Sequence, residues 1–322
     1  MNKKLLAVAI ASAMAAPFAM ADEGNVTISG NVGASVTSVK LGNGNRASDI
    51  DPGGSDLTIS GSENIGNGLK AVFVIKSWLN VTGNAGGGGG NALLLGPNKD
   101  AFVGLAGNFG TVALGAHGQP YKTATGGLEL FGDTIGDARG SITNGQGSFH
   151  SGIGDAVIWF LPDMNGFSGH VQVGSENNVD GAATKRGAQF NYSNGPLYLT
   201  VAHANDDAAT NETGNKFGAG YSFGDTKVNV VAERTKVKGS AAIKAFTLGL
   251  SQKLGANTVK VQYASNDFDS SDNTLDSASL WAVGVDHSLS KRTTVYALYA
   301  DSDGEATTRI DSGIEVGVGH SF

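Results

Sequence analysis

Apolar and polar residues alternate with a period of two along most of this chain. Val26, Ile28, Val32, Ala34 and Val36 interleave with Thr27, Ser29, Asn31, Gly33 and Ser35. Leu57 and Ile59 alternate with Asp56, Thr58 and Ser60. Phe217, Ala219, Tyr221 and Phe223 interleave with Lys216, Gly218, Gly220 and Ser222, and Val259, Val261 and Tyr263 with Lys260, Gln262 and Ala264. Ile314, Val316, Val318, His320 and Phe322 close the chain in the same way. Such alternation marks strands whose two faces meet different surroundings. Further segments of this kind start near Ala71, Ala101, Thr111, Ala156, His170, Gly187, Leu197, Lys227, Phe246, Leu280 and Thr294. The total is about sixteen, and bacterial single-chain barrels have an even number. No helix of useful length is visible.

The connections alternate in length as well. Glu63–Gly68, Ala106–Gly110, Gly224–Thr226, Gly255–Asn257 and Ser290–Arg292 are short. Leu41–Gly54, Val81–Asn98, Gly118–Phe149, Asn266–Ser277 and Asp301–Asp311 are long and polar. One short-turn end and one long-loop end is the arrangement of a transmembrane antiparallel β-barrel. A soluble β-sandwich also alternates, but its outer face carries many charges. Here the polar face is mostly Gly, Ser, Thr, Asn and Gln, as suits a wet lumen. No apolar run after residue 21 approaches the ~18 residues of a membrane helix. A closed barrel is then the one way to satisfy every backbone hydrogen bond in lipid.

The N-terminus changes the compartment. Met1-Asn2-Lys3-Lys4 is basic, Leu5–Phe18 is apolar apart from Ser12, and Ala19-Met20-Ala21 has the small residues a signal peptidase needs. The expectation is a cleaved signal at 1–21 and a single barrel domain at 22–322, exported to the outer membrane. Removing Lys3 and Lys4 takes the formal net charge of −7 two units lower. So acidic a chain is a poor nucleic-acid binder, since phosphate contacts need clustered Lys and Arg. The chain has no cysteine, which excludes disulfides and thiolate chemistry.

Several runs are recognisable: Ser60–Phe73, with its Asn64-Ile65-Gly66-Asn67-Gly68 turn, the hairpin Ala101–Gly115, and, in later strands, Gly195-Pro196-Leu197-Tyr198, Tyr221-Ser222-Phe223-Gly224, Val295–Ala300 and Val316–Phe322. Together they resemble the general Gram-negative porins of the neisserial and proteobacterial trimeric type, and the likeness spans Val26–Phe322. It implies a sixteen-stranded barrel with a third extracellular loop folded inward, assembled as a homotrimer. It also implies that Phe322, in the last strand, belongs to the signal read by the barrel-assembly machinery; otherwise an interfacial aromatic would explain it. The remaining partners are outer-membrane lipid and the small hydrophilic solutes and ions that diffuse through the lumen.

Gln119–Phe149 lacks periodicity and is too long for an ordinary connection. Its Glu129, Asp133 and Asp137 are candidates for a constriction, where carboxylates set a field on passing ions. Arginines are usual on the facing wall of the family, but Asp56 and Ala116-His117 stand at those positions and Ile158 at a further basic one. Lys70, Lys76, Arg139 and His117 remain for a positive side. The expectation is a mild cation preference. No nucleophile elbow, Walker loop or His-Glu-x-x-His occurs, so neither an enzyme nor a cofactor is expected. The six histidines lack metal-ligand spacing. Asp267, Asp269 and Asp272, or Asp301 and Asp303, read as solvated loop acids before a calcium site. The competing classes are an outer-membrane lipase or protease barrel and an adhesin.

Overall fold

The computed structural model describes residues 25–82, 95–139, 142–143, 149–175, 184–207, 211–269, 277–303 and 310–322. The expected signal segment 1–21 lies outside the described residues.

The strands are β1 (Asn25–Leu41), β2 (Arg46–Asp51), β3 (Asp56–Gly66), β4 (Leu69–Leu79), β5 (Leu95–Gly107), β6 (Gly110–Gly118), β7 (Gly152–Phe160) and β8 (Phe167–Ser175). They continue as β9 (Thr184–Asn194), β10 (Leu197–Asp206), β11 (Glu212–Phe223), β12 (Thr226–Val237), β13 (Ala242–Leu254), β14 (Asn257–Asp269), β15 (Ala278–Ser288), β16 (Thr293–Asp303) and β17 (Ile310–Ser321). Apart from β2 and β3, which both pair with β1, every strand pairs antiparallel with its sequence neighbour. The first strand closes the sheet, pairing with β17 along one edge and with β2 and β3 along the other. Because β2 and β3 follow one another beside the same strand, they form one wall strand kinked at 52–55. The seventeen strands therefore make a sixteen-stranded barrel.

Leu41–Gly54 is thus not a long loop. A tight connection leads at Arg46 straight into β2, whose residues are all exposed. The only apolar residues of β2 are Ala47 and Ile50, so it carries no alternation. The short end follows turn chemistry. Asn67 and Gly68 have φ of 53° and 75°, the two positive values that a two-residue hairpin matched to the strand twist requires.

Burial is inverted relative to a soluble protein. Val26 and Leu114 are 64% and 60% exposed, whereas Gln262 and Glu315 are 0% and 1% exposed. Apolar residues face out along every wall, and polar ones face in. That order is stable only with hydrocarbon outside. One inward stretch departs from the expected polar lumen: Phe102, Ile153, Ile158 and Phe160 form an apolar cluster inside β5–β7. His117 packs edge-on against it, and His170 meets Phe160 at a tilt.

Candidate functional site

The segment after β6 turns into the barrel. It begins with a one-turn helix, α1 (Pro120–Thr123), and a 3-10 turn at Gly126–Leu128. Inward side chains of successive wall strands then hold it. Tyr198 Oη on β10 donates to Ala124 O (2.8 Å), and Asn229 Nδ2 on β12 to Leu128 O (3.1 Å). Lys260 Nζ on β14 donates to Leu130 O (2.9 Å), while Gln262 Oε1 accepts from Leu130 N (3.0 Å). Glu315 Oε2 on β17 accepts from Ile135 N (2.8 Å). Wall glycines make room. A Cβ at Gly218 would lie 2.6 Å from a Leu128 methyl, and one at Gly249 would lie 2.9 Å from Leu130. Phe131, Ala138 and Ile142 pack on the small residues of β14–β16. Beneath α1, Lys216 Nζ sits 3.1 Å from Glu233 Oε2 and 4.1 Å from the Tyr121 ring centroid. The third long connection therefore crosses the lumen along the β10–β17 wall.

Two charged groups stand where this segment faces the opposite wall. On the segment, Arg139 makes a bidentate pair with Asp137 (Nε–Oδ1 3.0 Å, NH2–Oδ2 2.7 Å) and reaches Asp133 at 3.1 Å. Asp137 also accepts from the Asp133 and Arg139 backbone N–H groups. Burial works against the Arg139 charge, but the Asp137 bonds outweigh it and hold the guanidinium protonated. On the wall, Asp56 Oδ2 lies 3.1 Å from Lys76 Nζ and 3.5 Å from Lys99 Nζ. The two groups approach at Gly54, where a Cβ would sit 2.9 Å from the Asp133 side chain.

The remaining predicted residues are placed differently. Glu129 accepts from Gln262 Nε2 and from Phe131 N. Burial, then the Asp137 charge, pushes its carboxyl up. His117 Nδ1 lies 2.7 Å from Asp100 Oδ1, at the edge of the apolar cluster. Lys70 is paired in register with Asn64 beside the short turn. Six residues of strand separate it from Lys76, ~20 Å, so Lys70 is not part of the gap. Ile158 is buried in the apolar cluster.

Lys99, Asp100 and Lys122 were missed. Lys99 has the parity of outward-facing Val103, but the register slips there: Lys76 pairs with Asp100 and Ser77 with Asn98. That bulge turns Lys99 towards Asp56. Lys122 stands among Arg139, Asp133, Asp100 and Asp137; burial, then Arg139, lowers its pKa. The same basic pair and burial hold His150 down at about 4. Among the described residues, no group of three or more His, Asp or Glu is arranged to hold a metal ion, and Asp272 lies outside them.

A closed barrel with a polar interior and an apolar belt, narrowed by an inserted segment, defines the class of outer-membrane diffusion channels. A profile described as Gram-negative porin matches residues 7–307. Outer membrane porin protein 32 of Delftia acidovorans is 30% identical over the full length of both chains. Major outer membrane protein P.IB of Neisseria gonorrhoeae is 30% identical over 63% of this chain and 56% of its own. An anion-selective porin from Comamonas acidovorans superposes with a TM-score of 0.76 at 25% identity, covering 93% of this chain and all of that one. A Salmonella typhi OmpF complex shares the fold at a TM-score of 0.72 and 14% identity, over 94% and 98% of the two chains. The chain belongs to the Gram-negative porin family, and it is an outer-membrane porin.

Proposed function

We propose that small hydrophilic solutes and ions diffuse passively through a constriction framed by Asp133, Asp137 and Arg139 on one side and Asp56, Lys76 and Lys99 on the other. The single observation that carries this reading is that each acid at the gap has a basic partner within 3.5 Å. Asp133, Asp137 and Arg139 sum to −1 and Asp56, Lys76 and Lys99 to +1, so the six charges of the gap cancel. The mild cation preference expected from Glu129, Asp133 and Asp137 is therefore not carried by the gap: Asp133 and Asp137 share Arg139, the wall matches the negative charge left over, and Glu129 bonds to Gln262. The pore discriminates weakly and presents both signs of charge to a solute dipole. A planar-bilayer reversal potential in a KCl gradient tests this. Weak selectivity means a permeability ratio within about threefold of unity; strong selectivity of either sign would overturn it.

The same reading has no catalytic step, removes the signal after Ala21, and assembles the mature chain as a homotrimer. Phe322 serves assembly. Its backbone N–H and C=O both pair with Gly30, so the last residue helps close the barrel seam. Deleting Phe322 is expected to lower heat-modifiable barrel in the membrane while synthesis continues; equal amounts would refute that role.

A further inference from the structure

Two buried polar atoms on the lumen face of β8, His170 Nε2 and Gln172 Oε1, have no hydrogen-bond partner among the described residues. Their residues are 3% and 0% exposed. Buried polar atoms are almost always paired, so such orphans point to a bound water or ion. The end of β6 comes to meet them. Its register with β7 slips between Gly115 and His117, and Asp100 Oδ1 on β5 accepts from Gly118 N (2.9 Å). His117 is thereby brought onto His170, although β7 lies between their strands.

The chemistry of the cluster favours a cation. Gln172 spends its amide N–H groups on His117 O (3.2 Å) and Ile153 O (2.9 Å), which leaves Oε1 as an acceptor. His117 turns Nδ1 to Asp100 Oδ1 at 2.7 Å, so Nδ1 carries the proton and Nε2 keeps a lone pair. The Gly118 backbone bonds to the His170 ring; with Nε2 unpartnered that bond falls on Nδ1, and Nε2 again keeps a lone pair. A single water donates two hydrogen bonds and cannot serve three acceptors. A cation can.

The ring geometry fits one ion between the two imidazoles. Ring nitrogens ~2.0–2.1 Å from a tetrahedral metal put the ring centroids roughly 5 Å apart. The His117 and His170 centroids are 5.1 Å apart, with their planes at 65°. A carboxylate behind a metal-binding imidazole orients the ring and raises its basicity, and Asp100 stands behind His117 in that way. Two nitrogens and an amide oxygen suit Zn²⁺, Cu²⁺ or Ni²⁺ rather than Ca²⁺ or Mg²⁺, which require shells of oxygen. Because the third donor is an amide, no trio of His, Asp or Glu marks the place.

We propose that His117, His170 and Gln172 bind a divalent transition-metal ion, with Asp100 orienting His117. The ion ties the end of β6 to β8 just ahead of α1, and so fixes the root of the lumen segment. None of the six charges of the gap belongs to this site, so it can fail while the proposed constriction stands.

The test uses the folded barrel in detergent, stripped with a chelator and titrated with Zn²⁺ by isothermal calorimetry. One Zn²⁺ per chain is expected, and excess Mg²⁺ should not displace it. His170→Gln removes one imidazole and should weaken binding by more than about a hundredfold; Asp100→Asn, which only frees the His117 ring, should weaken it about 10–100-fold. Replacing the exposed His203, His287 and His320 by Gln should leave the affinity unchanged. Heat-modifiable migration checks that each variant is folded, and Asp100→Asn decides if His170→Gln does not assemble. No Zn²⁺ on the parent, or parental affinity in either site variant, would overturn the proposal. So would loss of binding in the triple variant, which would assign the ion to exposed histidines.

Discussion

The two halves of the lumen wall use their polar side chains for opposite purposes. Along β10–β17, Tyr198, Asn229, Lys260, Gln262 and Glu315 point at the backbone of segment 124–135 and are consumed in holding it. Along β3–β5, Asp56, Lys76 and Lys99 bind one another, remain partly open to the lumen, and hold no backbone. The first wall is a mount and the second is an electrode. A charge on the mount acts on ions only through the position of the segment. A charge on the electrode acts directly, within the ~8–10 Å that salt allows.

The largest expected effect comes from breaking the mount. Lys216 and Glu233 are buried together under Tyr121, so removing either partner alone leaves an uncompensated charge in a dry site. Glu233→Ala or Lys216→Ala should each destabilise the barrel by ~3–5 kcal/mol, read by denaturant unfolding in detergent. The paired change Lys216→Met/Glu233→Leu should cost much less. Equal losses for the single and double variants would mean that the pair does not act as a unit.

A smaller effect should follow from loosening one tether. Asn229→Ala removes the bond to Leu128 O and is expected to raise open-channel current noise with little change in ion selectivity. A shifted reversal potential without added noise would place Asn229 on the electrode instead.

The smallest effect is a pH effect. His150 has its pKa held down at about 4, by burial first and then by Lys122 and Arg139. A depressed pKa means that the docked segment resists protonation. Its contribution is complete above the ordinary histidine range and is lost as pH falls through about 4. Channel noise should therefore rise on acidification between those limits, and His150→Gln should remove that part of the rise. An identical pH profile for parent and variant would exclude His150 as the source.

The barrel was legible because lipid imposes a strict rule. Every outward residue within the belt must be apolar, so the strand starts near Ala71, Thr111, Ala156 and Thr294 all lie within a few residues of the observed strands. Where that rule lapses the sequence is mute. The strand Arg46–Asp51 has only Ala47 and Ile50 as apolar residues and gave no signal. Lys99 was missed for another reason, since a bulge inverts its parity. Glu129, Asp133 and Asp137 were identifiable as candidates by composition, but not their partners. Arg139 is two and six residues from its acids, whereas the Gln262 that takes Glu129 comes from a distant strand. Non-local pairing of that kind leaves no trace in spacing, and the proposed balance of the gap, in place of the expected cation preference, rests on it.

The most direct test of the balanced gap is to unbalance it in both directions. Arg139→Gln releases Asp133 and Asp137, and Asp56→Asn releases Lys76 and Lys99. With the reversal potential measured in the same KCl gradient across a planar bilayer, the parent should lie near zero. Arg139→Gln should move it towards cation selectivity and Asp56→Asn towards anion selectivity. Shifts of the same sign, or no shift in either variant, would contradict a constriction built from two opposed groups whose net charges of −1 and +1 cancel.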